Sequence, residues 1–564
     1  MLRSMTLKAG SKVGPDLRFV PSTMTVFVGP NGSGKSLALR EIYKWMQSGA
    51  MSGNHVVGRV AMHAPSEEMV EELVERWTPR TAVTSKGRVY LQIVKQDLEK
   101  EHTVAQIDPL IFRQAFRRAR TQEAEGSDHS EPGAFTYYVF LHTVMLDGKS
   151  RFNLVEPREL KDLQKSPKNH LAALFQNSEA REEVRRIIYD AFQKHFVLDP
   201  TDPGKVRIRL STTPPPCETV EQGWHTEARE FHRLALRIED ASDGVKAFTG
   251  IISALASADF RVILIDEPEA FLHPPLARKL GHQMAALAHT RSGNVFTATH
   301  SADFLMGAVE AGKDLNVVRL TYQQGQGNAM LLPSDRIREL MLDPLLRSTN
   351  VLNALFHSGA IVCEGDSDRC FYQEINHRLL SDNGLGVRDS VFLNAQNKQT
   401  IRRIVEPLRQ MGIAAAAVVD LDIIKGSDLT NLLKACNVAP ALVHSIGQLK
   451  GDLAAHFSSE KLDLHYGGIS VLGGSERQAA DSLLSQLKAF GVFVVPNGVL
   501  ETWFPDLGST KDKSEWLAQA FEYMGSDPEV KSYLKPATGG PWEFLRNIAE
   551  WVHDPNRSGM SSNS

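Results

Sequence analysis

The chain has 564 residues, which is too long for one hydrophobic core, so we expect two or three domains. Its hydrophobic content of 42%, charged content of 23% and net charge of −4 are ordinary for a globular protein and do not exclude nucleic acid as a partner, because binding depends on where Lys and Arg cluster. No apolar run approaches the roughly 20 residues that span a bilayer, so a membrane partner is not expected.

The N-terminus and the cysteines predict a cytoplasmic protein. Residues 1–12 carry Lys and Arg without an apolar segment behind them, so we expect no secretory signal. The four cysteines have no metal-ligand spacing, which fits free thiols in a reducing compartment.

A glycine-rich segment, GPNGSGKS at residues 29–36, follows a strand-like run at Met24–Val28 and precedes a helical pattern at Leu37–Met46. This order predicts a loop whose backbone N–H groups surround the phosphates of ATP. Lys35 would reach the β- and γ-phosphates, and Ser36 would hold Mg²⁺. The predicted nucleotide-binding residues of this loop are Gly29, Asn31, Gly32, Ser33, Gly34, Lys35 and Ser36.

Two further strands end in polar residues. The strand at 261–265 leads into Asp266 and Glu267, which we predict to support Mg²⁺ and to polarise the attacking water, respectively. The alternative is that these acids only cap a turn. The strand at 294–299 ends in His300, which either senses the γ-phosphate or has a structural role.

The segment ASDGVK at residues 241–246 lies about twenty residues before the Asp-Glu pair and runs into an apolar helix. It resembles the signature motif of ABC-type ATPases, although Asp243 stands where glycine is usual and the glutamine is missing. The resemblance implies a dimeric nucleotide sandwich, in which Ser242 and Gly244 of one protomer contact the phosphates held by its partner.

The long interval between the phosphate loop and this signature predicts an insertion, helical and suited to dimerisation, at about residues 100–235. Four arginines fall near one face of a helical stretch within it. They either follow a phosphate backbone or form a solvated helix face. These are Arg113, Arg117, Arg118 and Arg120.

From about residue 345 a second α/β pattern begins. A buried strand at Ala360–Cys363 delivers Glu364 into a glycine turn, and a helix starts at Asp368. A strand at Ala414–Val419 then delivers two acids on alternate positions, so that their side chains point the same way. These acids are Asp420 and Asp422.

Carboxylates crowded at strand ends repel one another unless hard cations neutralise them, and oxygen ligands suit Mg²⁺ or Mn²⁺. Glu501, after a strand at 492–495, could complete the metal shell. Lys511 and Lys513 follow and either stabilise charge on a phosphate or serve solubility, and we predict Lys511 as the catalytic lysine. The predicted metal ligands are Glu364, Asp368, Asp420, Asp422 and Glu501.

The order of an acidic residue, a glycine and an Asp-x-Asp strand end resembles the Toprim domain of topoisomerases, primases and certain nucleases. Glu364 matches the family glutamate, and Asp420 with Asp422 matches the Asp-x-Asp pair. The resemblance implies that these three residues carry out metal-dependent phosphodiester chemistry. Asp368 stands where some Toprim proteins have glutamate, so the number of metals, one or two, stays open.

An ABC-type ATPase with a helical insertion, joined to a C-terminal Toprim domain, resembles the OLD (overcoming lysogenization defect) family of ATP-dependent endonucleases. The predicted fold is α/β, with the ATPase over residues 1–345, the Toprim domain over 346–550 and a disordered tail over 551–564. The resemblance implies ATP-controlled nicking or cleavage of DNA, often in anti-phage defence. It also implies a homodimer or higher oligomer, and possible partners are a helicase or a reverse transcriptase with its retron DNA.

Two other interpretations remain open. The chain could be a DNA-binding ATPase clamp or sensor of the RecF or SMC kind whose Toprim region has lost catalysis, although the intact acids argue against that loss. Alternatively, the target could be RNA or nucleotides, because Toprim chemistry specifies a phosphodiester and not its sugar.

Overall fold

The hydrophobic runs of the chain form two α/β units, Met1–Arg338 and Glu339–Ser564. In this computed structural model the described residues are 2–8, 16–48, 53–78, 90–96, 101–125, 140, 142–164, 167, 169–257, 260–290, 293–312, 314–323, 326–332, 334–348, 350–508 and 513–560. Among the helices of these ranges, none has both the length and the apolar composition needed to cross a bilayer.

The strands of the N-terminal unit are β1 (Leu2–Leu7), β2 (Leu17–Phe19), β3 (Met24–Val28), β4 (Val57–Met62), β5 (Leu91–Gln96), β6 (Glu101–Ile107), β7 (Thr143–Leu146), β8 (Arg158–Glu159), β9 (His195–Asp199), β10 (Lys205–Ser211), β11 (Leu236–Arg237), β12 (Val262–Asp266), β13 (Asn294–Ala298), β14 (Leu315–Gln323) and β15 (Gln326–Leu332). Its helices are α1 (Lys35–Ser48), α2 (Glu67–Trp77), α3 (Pro109–Ala124), α4 (Ser150–Asn153), α5 (His170–Gln176), α6 (Ser178–Phe192), α7 (Glu218–Gln222), α8 (Thr226–Leu234), α9 (Asp243–Ala256), α10 (Pro274–Thr290), α11 (Ala302–Glu310) and α12 (Ser334–Leu342).

The central sheet of this unit has the order β15-β14-β3-β13-β12-β7, and all neighbours are parallel except the β14–β15 pair. Strands buried on both faces of a parallel sheet carry continuous apolar runs, and β3 and β13 are buried at every position. The rings of Phe27 and Phe296 stack between these two strands at 6.4 Å. Because Asp266 pairs in register with Ala298, β12 and β13 end at the same level.

The predicted helical insertion contains α3, α5 and α6, but it also contains strands. β9 and β10 form an antiparallel pair that the short strands β8 and β11 extend. β7 belongs to the central sheet, where it pairs with β12. β7 was not predicted, because a run of four residues is too short to carry a periodic signal.

The arginine stripe of α3 lies against acidic residues of α2. Arg113 donates two hydrogen bonds of 2.7 Å to Glu71, and Arg117 lies 3.3 Å from Glu67. Of the two roles considered for the stripe, this pairing favours a solvated helix face, because the acids offset much of its positive charge.

The strands of the C-terminal unit are β16 (Gly359–Cys363), β17 (Ser390–Asn394), β18 (Ala414–Val419) and β19 (Val492–Val494). Its helices are α13 (Pro344–Ser348), α14 (Asp366–Asp382), α15 (Lys398–Gln410), α16 (Asp428–Ala435), α17 (Pro440–Ser459), α18 (Gly474–Ala489), α19 (Lys513–Met524) and α20 (Gly540–His553). Short 3₁₀ turns lie at Val351–Phe356, Leu421–Ile424, Gly468–Val471, Leu500–Trp503 and Pro505–Leu507.

The C-terminal sheet has the order β17-β16-β18-β19 and is entirely parallel. β18 has the sequence AAAAVV and is buried at all six positions, since its small side chains let helices approach both faces. Ala414, Ala416 and Val418 pack in one apolar cluster with residues of α14, α19 and α20. Together with the N-terminal sheet, this topology confirms the predicted α/β class.

The C-terminal residues differ from the predicted disordered tail at 551–564. α20 continues to His553, and the carbonyl of Gly559 accepts a hydrogen bond from the buried Arg409 at 2.9 Å. The Arg409 guanidinium also lies 4.8 Å from the ring centre of Trp551. These contacts order the segment through 560, although its small polar composition suggested otherwise, and residues 561–564 lie outside the described ranges.

A buried ion cluster joins α6 to α7. Glu221 is 1% exposed and accepts hydrogen bonds from Arg185 at 2.7 and 2.8 Å, and from Arg181 at 3.2 Å. It also accepts from the amide of Leu198 in β9. One carboxylate therefore holds two buried arginines and a strand together.

We expect Glu221→Ala to lower the free energy of unfolding of the N-terminal unit by about 3 kcal/mol, because Arg181 and Arg185 lose the buried carboxylate they share and keep only the exposed acids Glu218 and Glu182. Urea denaturation would measure the loss, and faster hydrogen exchange at the Leu198 amide would locate it. Glu183→Ala is the matched control, since Glu183 pairs with Arg186 at the exposed surface of α6 and should cost less than about 1 kcal/mol. Equal losses in both variants would contradict the structural role of Glu221.

Candidate active sites

The phosphate loop connects β3 to α1 at the centre of the sheet. Gly29 has φ +140°, and a Cβ there would lie 2.0 Å from the carbonyl oxygen of Leu320, so only glycine fits. Lys35 is buried and donates to the carbonyls of Gly29 and Pro30 at 2.7 and 2.8 Å. The Ser33 hydroxyl is buried and has no hydrogen-bond partner in the described part of the chain.

The loop also contains the predicted residues Asn31, Gly32 and Gly34. Asn31 and Gly32 are exposed, and Gly32 and Gly34 both have positive φ, of +74° and +95°. Such a backbone turns successive N–H groups toward one concavity, which suits an anion. The geometry is therefore compatible with phosphate binding by the predicted residues.

The loop meets the end of β12 through one hydrogen bond. The Ser36 hydroxyl donates to Asp266 Oδ1 at 2.9 Å, so the two residues predicted to share Mg²⁺ lie together. Burial raises the pKa of Asp266, and the nearby Glu267 carboxylate adds to the rise. A hydroxyl beside a desolvated carboxylate offers the hard oxygen donors that Mg²⁺ prefers.

Glu267 and His300 face each other across the ends of β12 and β13. Glu267 Oε1 lies 3.5 Å from His300 Nε2, and the Glu267 amide donates to the carbonyl of Ala298. Glu267 has φ +49°, a left-handed conformation that non-glycine residues rarely adopt, and such strain clusters at functional sites. Burial lowers the pKa of His300, and the positive charge of Lys35 lowers it further.

Arg151, which the sequence analysis did not identify, supports this turn from α4. Its guanidinium donates to the carbonyls of Asp266, Glu267 and Asp147 at 2.8, 2.9 and 3.0 Å, and it is 1% exposed. Burial lowers its pKa, which nearby acids partly offset. Two of these hydrogen bonds hold the Asp-Glu turn, including the left-handed Glu267, and the third ties Arg151 to Asp147, which precedes its own helix.

Glu269 is a second residue that the sequence analysis missed. Its Oε1 accepts from the amide of His300 at 2.8 Å, while Oε2 is buried without a partner among the described residues. Burial raises the pKa of this carboxyl. The only sequence signal was its position two residues after Glu267, in the series Asp-Glu-Pro-Glu.

The signature segment lies at the start of α9. Ser242 is the exposed N-cap residue, and its side chain makes no capping hydrogen bond. A Cβ on Gly244 would approach the carbonyl oxygen of Phe271 to 2.7 Å, so glycine is needed for close packing there. The predicted contact of Ser242 and Gly244 with a nucleotide in a second protomer stays a prediction.

The acids of the second site lie at the carboxyl edge of the C-terminal sheet. Glu364 follows β16, and Asp420 and Asp422 follow β18. Asp368 lies in the first turn of α14, and Glu501 lies in a 3₁₀ turn after β19. Strand topology thus brings five acids, predicted from segments far apart in the chain, to one edge.

These carboxyls are desolvated and crowded. Burial raises the pKa of Asp420 to about 7, opposed by Lys513 and reinforced by Asp368 and Glu364. Burial raises the pKa of Glu364 as well, and Asp422 contributes the next largest effect. Such a cluster needs positive charge beside it.

Two lysines supply positive charge. Lys513 Nζ lies 3.2 Å from Asp420 Oδ2 and 3.8 Å from Asp368 Oδ1, and Lys398 Nζ donates to Asp422 Oδ2 at 2.7 Å. Burial alone would lower the pKa of Lys513, but the attraction of the surrounding carboxylates outweighs it and raises the pKa.

The structure describes only one of the two lysines that were considered near the acids. Lys511, predicted as the catalytic lysine, lies outside the described residues. Lys513 was considered beside it and contacts the acids directly. Lys398 was missed, because it precedes the acid pair of β18 by more than twenty residues and belongs to no motif.

The donor set of the second site fits a hard divalent cation. Glu364 Oε2, Asp422 Oδ1 and Glu501 Oε2 are buried and have no hydrogen-bond partner in the described structure. Within the same residues no three acidic, histidine or cysteine side chains already converge as a metal-binding group, and the lysines lie among the acids instead. A metal at this edge would therefore compete with Lys398 for Asp422 and with Lys513 for Asp420.

Two family models match the chain. Residues 105–307 match the model described as "AAA domain, putative AbiEii toxin, Type IV TA system". Residues 355–422 match "Overcoming lysogenization defect protein-like, TOPRIM domain". The first match includes Asp266, Glu267 and His300, and the second includes Glu364 and the Asp420 to Asp422 segment. No curated protein matches the sequence.

Several solved structures resemble the chain distantly. One is an SMC head bound to the C-winged helix domain of ScpA, with 16% identity, a TM-score of 0.32, and coverage of 60% of this chain and 99% of that chain. The SMC head domain from Thermotoga maritima has 15% identity, a TM-score of 0.29 and coverage of 59% and 99%. An ATP-binding cassette of an ABC transporter has 14% identity, a TM-score of 0.25 and coverage of 62% and 98%.

The two family matches follow one another in the order expected from the sequence, an ATPase domain and then a Toprim domain. Such domains imply the use of a nucleotide and a divalent metal. The chain therefore has the ATPase–Toprim architecture of the OLD (overcoming lysogenization defect) family, which confirms the resemblance found in the sequence.

Proposed function

We propose that the chain is an ATP-regulated, metal-dependent endonuclease that nicks or cleaves DNA in bacterial defence against phage. The observation that carries the proposal is the group of five acids and two lysines at the carboxyl edge of the C-terminal sheet, with three buried carboxylate oxygens left without partners. The choice of DNA and of phage defence rests on the family architecture.

In this proposal Glu364, Asp420 and Asp422 are the principal metal ligands, and Asp368 and Glu501 complete the shell. A bound Mg²⁺ or Mn²⁺ supplies charge stabilisation for the attacking and leaving oxygens of the phosphodiester. Asp368 is held for this role because its Oδ2 accepts from the amide of Gly365 at 3.0 Å.

We include Lys513 in the proposal beside Lys511, because Lys513 lies against the acids, whereas Lys511 lies outside the described residues. The Lys513 ammonium lies at the same edge as the acids and would neutralise negative charge that develops on the phosphate. Contact with both Asp368 and Asp420 fixes its position before substrate binds.

For the ATPase half, Lys35 and the loop amides would bind the phosphates, while Ser36 and Asp266 would hold Mg²⁺. Glu267 would act as the base for the attacking water, with His300 beside it. Ser242 is exposed and its hydroxyl makes no capping hydrogen bond, which suits a contact with the nucleotide of a second copy. We therefore include a homodimer in the proposal. A helicase or a reverse transcriptase with its retron DNA is the partner class that the family suggests.

The nuclease assignment predicts that the purified chain nicks supercoiled plasmid in Mg²⁺ or Mn²⁺, and that Asp420→Asn lowers the nicking rate about a hundredfold or more, because a metal ligand contributes several kcal/mol. Gel analysis of plasmid topology measures the rate. Asp481→Asn is the control, since Asp481 lies exposed on α18 and pairs with Arg477.

If the unaltered chain cleaves neither DNA nor RNA with either metal, the nuclease proposal is wrong, and a clamp or sensor with an inactive Toprim domain would replace it. Cleavage of RNA alone would correct the substrate while leaving the site intact. Retained nicking in Asp420→Asn would move the chemistry away from these acids.

A second prediction concerns ATP. Glu267→Gln should still bind ATP but hydrolyse it about a hundredfold more slowly, since it lacks the base. Lys35→Ala should bind ATP weakly, because the phosphates lose their buried ammonium. Phosphate release and binding of a fluorescent nucleotide separate the two effects, and Glu183→Gln on α6 serves as the surface control.

Control of the nuclease by ATP can be tested by comparing the nicking rates of the two variants with ATP present. Glu267→Gln stays ATP-bound and Lys35→Ala stays ATP-free, so they should differ from each other in nicking rate. Equal rates in both would contradict control of the nuclease by ATP.

A third prediction concerns Arg151. Arg151→Lys keeps the charge but cannot reach three carbonyls at once, so the turn that carries Glu267 loses its fixed geometry. We expect the kcat for ATP hydrolysis to fall by about tenfold to a hundredfold while the affinity for ATP is unchanged. Steady-state hydrolysis and nucleotide titration measure the two quantities.

The control is Lys149→Ala, an exposed neighbour, which should leave both quantities unchanged. A loss of affinity equal to the loss of kcat in Arg151→Lys would contradict a positioning role.

A further inference from the structure

Lys398 and Lys513 approach the acid cluster from opposite sides of the C-terminal sheet. Lys398 begins α15, directly after the edge strand β17, whereas Lys513 begins α19, after the other edge strand β19. The acid-bearing strands β16 and β18 lie between them. Each lysine therefore serves a different acid, Lys398 with Asp422 and Lys513 with Asp420.

The position of Lys398 in its helix is locally unfavourable. It is the first residue of α15, after the capping residue Asn397, whose side chain accepts from the amide of Thr400. A helix N-terminus carries partial positive charge and disfavours a cation in the first turn. The ion pair with Asp422, and not a helix preference, therefore accounts for a lysine at this position.

The contact between Lys398 and Asp422 uses only part of the hydrogen-bonding capacity of each group. An ammonium has three N–H donors, and Lys398 gives one to Asp422 Oδ2, while Asp422 Oδ1 is buried without a partner in the described structure. The Lys398 side chain is 25% exposed, so solvent and a substrate can reach it. Both the Lys398 ammonium and the Asp422 carboxylate therefore have capacity for another partner.

We propose that Lys398 is a positioning residue that exchanges its partner: it holds Asp422 before metal binds, and once a divalent cation takes Asp422 its ammonium binds a non-bridging oxygen of the substrate phosphodiester. This inference rests on the proposed nuclease function. A lysine and a divalent cation compete for the same carboxylate, because like charges repel at short range. An arriving phosphodiester then offers the displaced ammonium a charged partner.

If Lys398 exchanges its partner, its removal should strengthen metal binding and weaken nucleic-acid binding. Lys398→Met removes the competitor and keeps the length of the side chain, so the affinity of the full chain for Mn²⁺ without DNA should rise about threefold to tenfold. Electron paramagnetic resonance of free Mn²⁺ measures this affinity. A residue that merely orders Asp422 would instead cause weaker Mn²⁺ binding when removed.

In the same variant the KM for plasmid should rise more than kcat falls, and the slope of log affinity against log salt should lose about one unit, because one phosphate contact is gone. Lys398→Arg should restore the salt slope. Lys434→Met, an exposed lysine in the last turn of α16, should match the unaltered chain in every measurement.

The outcomes separate the inference from the function on which it rests. If the unaltered chain binds Mn²⁺ and nicks plasmid but Lys398→Met binds Mn²⁺ more weakly, or keeps its salt slope, the exchange is wrong and the nuclease stands. If the unaltered chain neither binds Mn²⁺ nor nicks plasmid, the exchange and the proposed nuclease function are both wrong.

Discussion

Carboxylates buried at the ends of parallel strands are costly unless positive charge or hydrogen-bond donors lie beside them, and both units depend on this constraint. In the N-terminal unit Arg151 holds the backbone that carries Asp266 and Glu267. In the C-terminal unit Lys398 and Lys513 lie directly against the acids. The sheets bring the acids together, and the cations decide whether the cluster is stable.

The parallel register of the strands then determines which residues lie at the same edge of each sheet. Because all neighbours in the C-terminal sheet are parallel, residues that follow β16, β18 and β19 reach one edge, although Glu364 and Glu501 are far apart in the chain. The same rule places Glu267 opposite His300, since β12 and β13 end at the same level.

The motifs could be predicted because their chemistry is local. Strand, glycine turn and helix fall within one short segment around Lys35, and the Asp420 to Asp422 spacing is set by strand periodicity. Arg151 could not be found this way, because it acts on Glu267 across 116 residues and follows a strand too short to recognise. Lys398 was missed for the same physical reason: its role comes from sheet order, which the sequence does not state. Glu269 had a local signal, but its partner, the amide of His300, lies on another strand.

The two kinds of positive charge differ in what they permit. Arg151 is buried and donates to backbone carbonyls of the Asp-Glu turn and not to its carboxylates, so it leaves the side chains of Asp266 and Glu267 available for a ligand. Lys398 and Lys513 contact carboxylates that are metal ligands in the proposed nuclease, so under that proposal the site would rearrange as metal binds. Under the proposed exchange, such a site would become competent only when both metal and a phosphodiester are bound. In the proposed function, that requirement would restrain cleavage independently of any control by ATP.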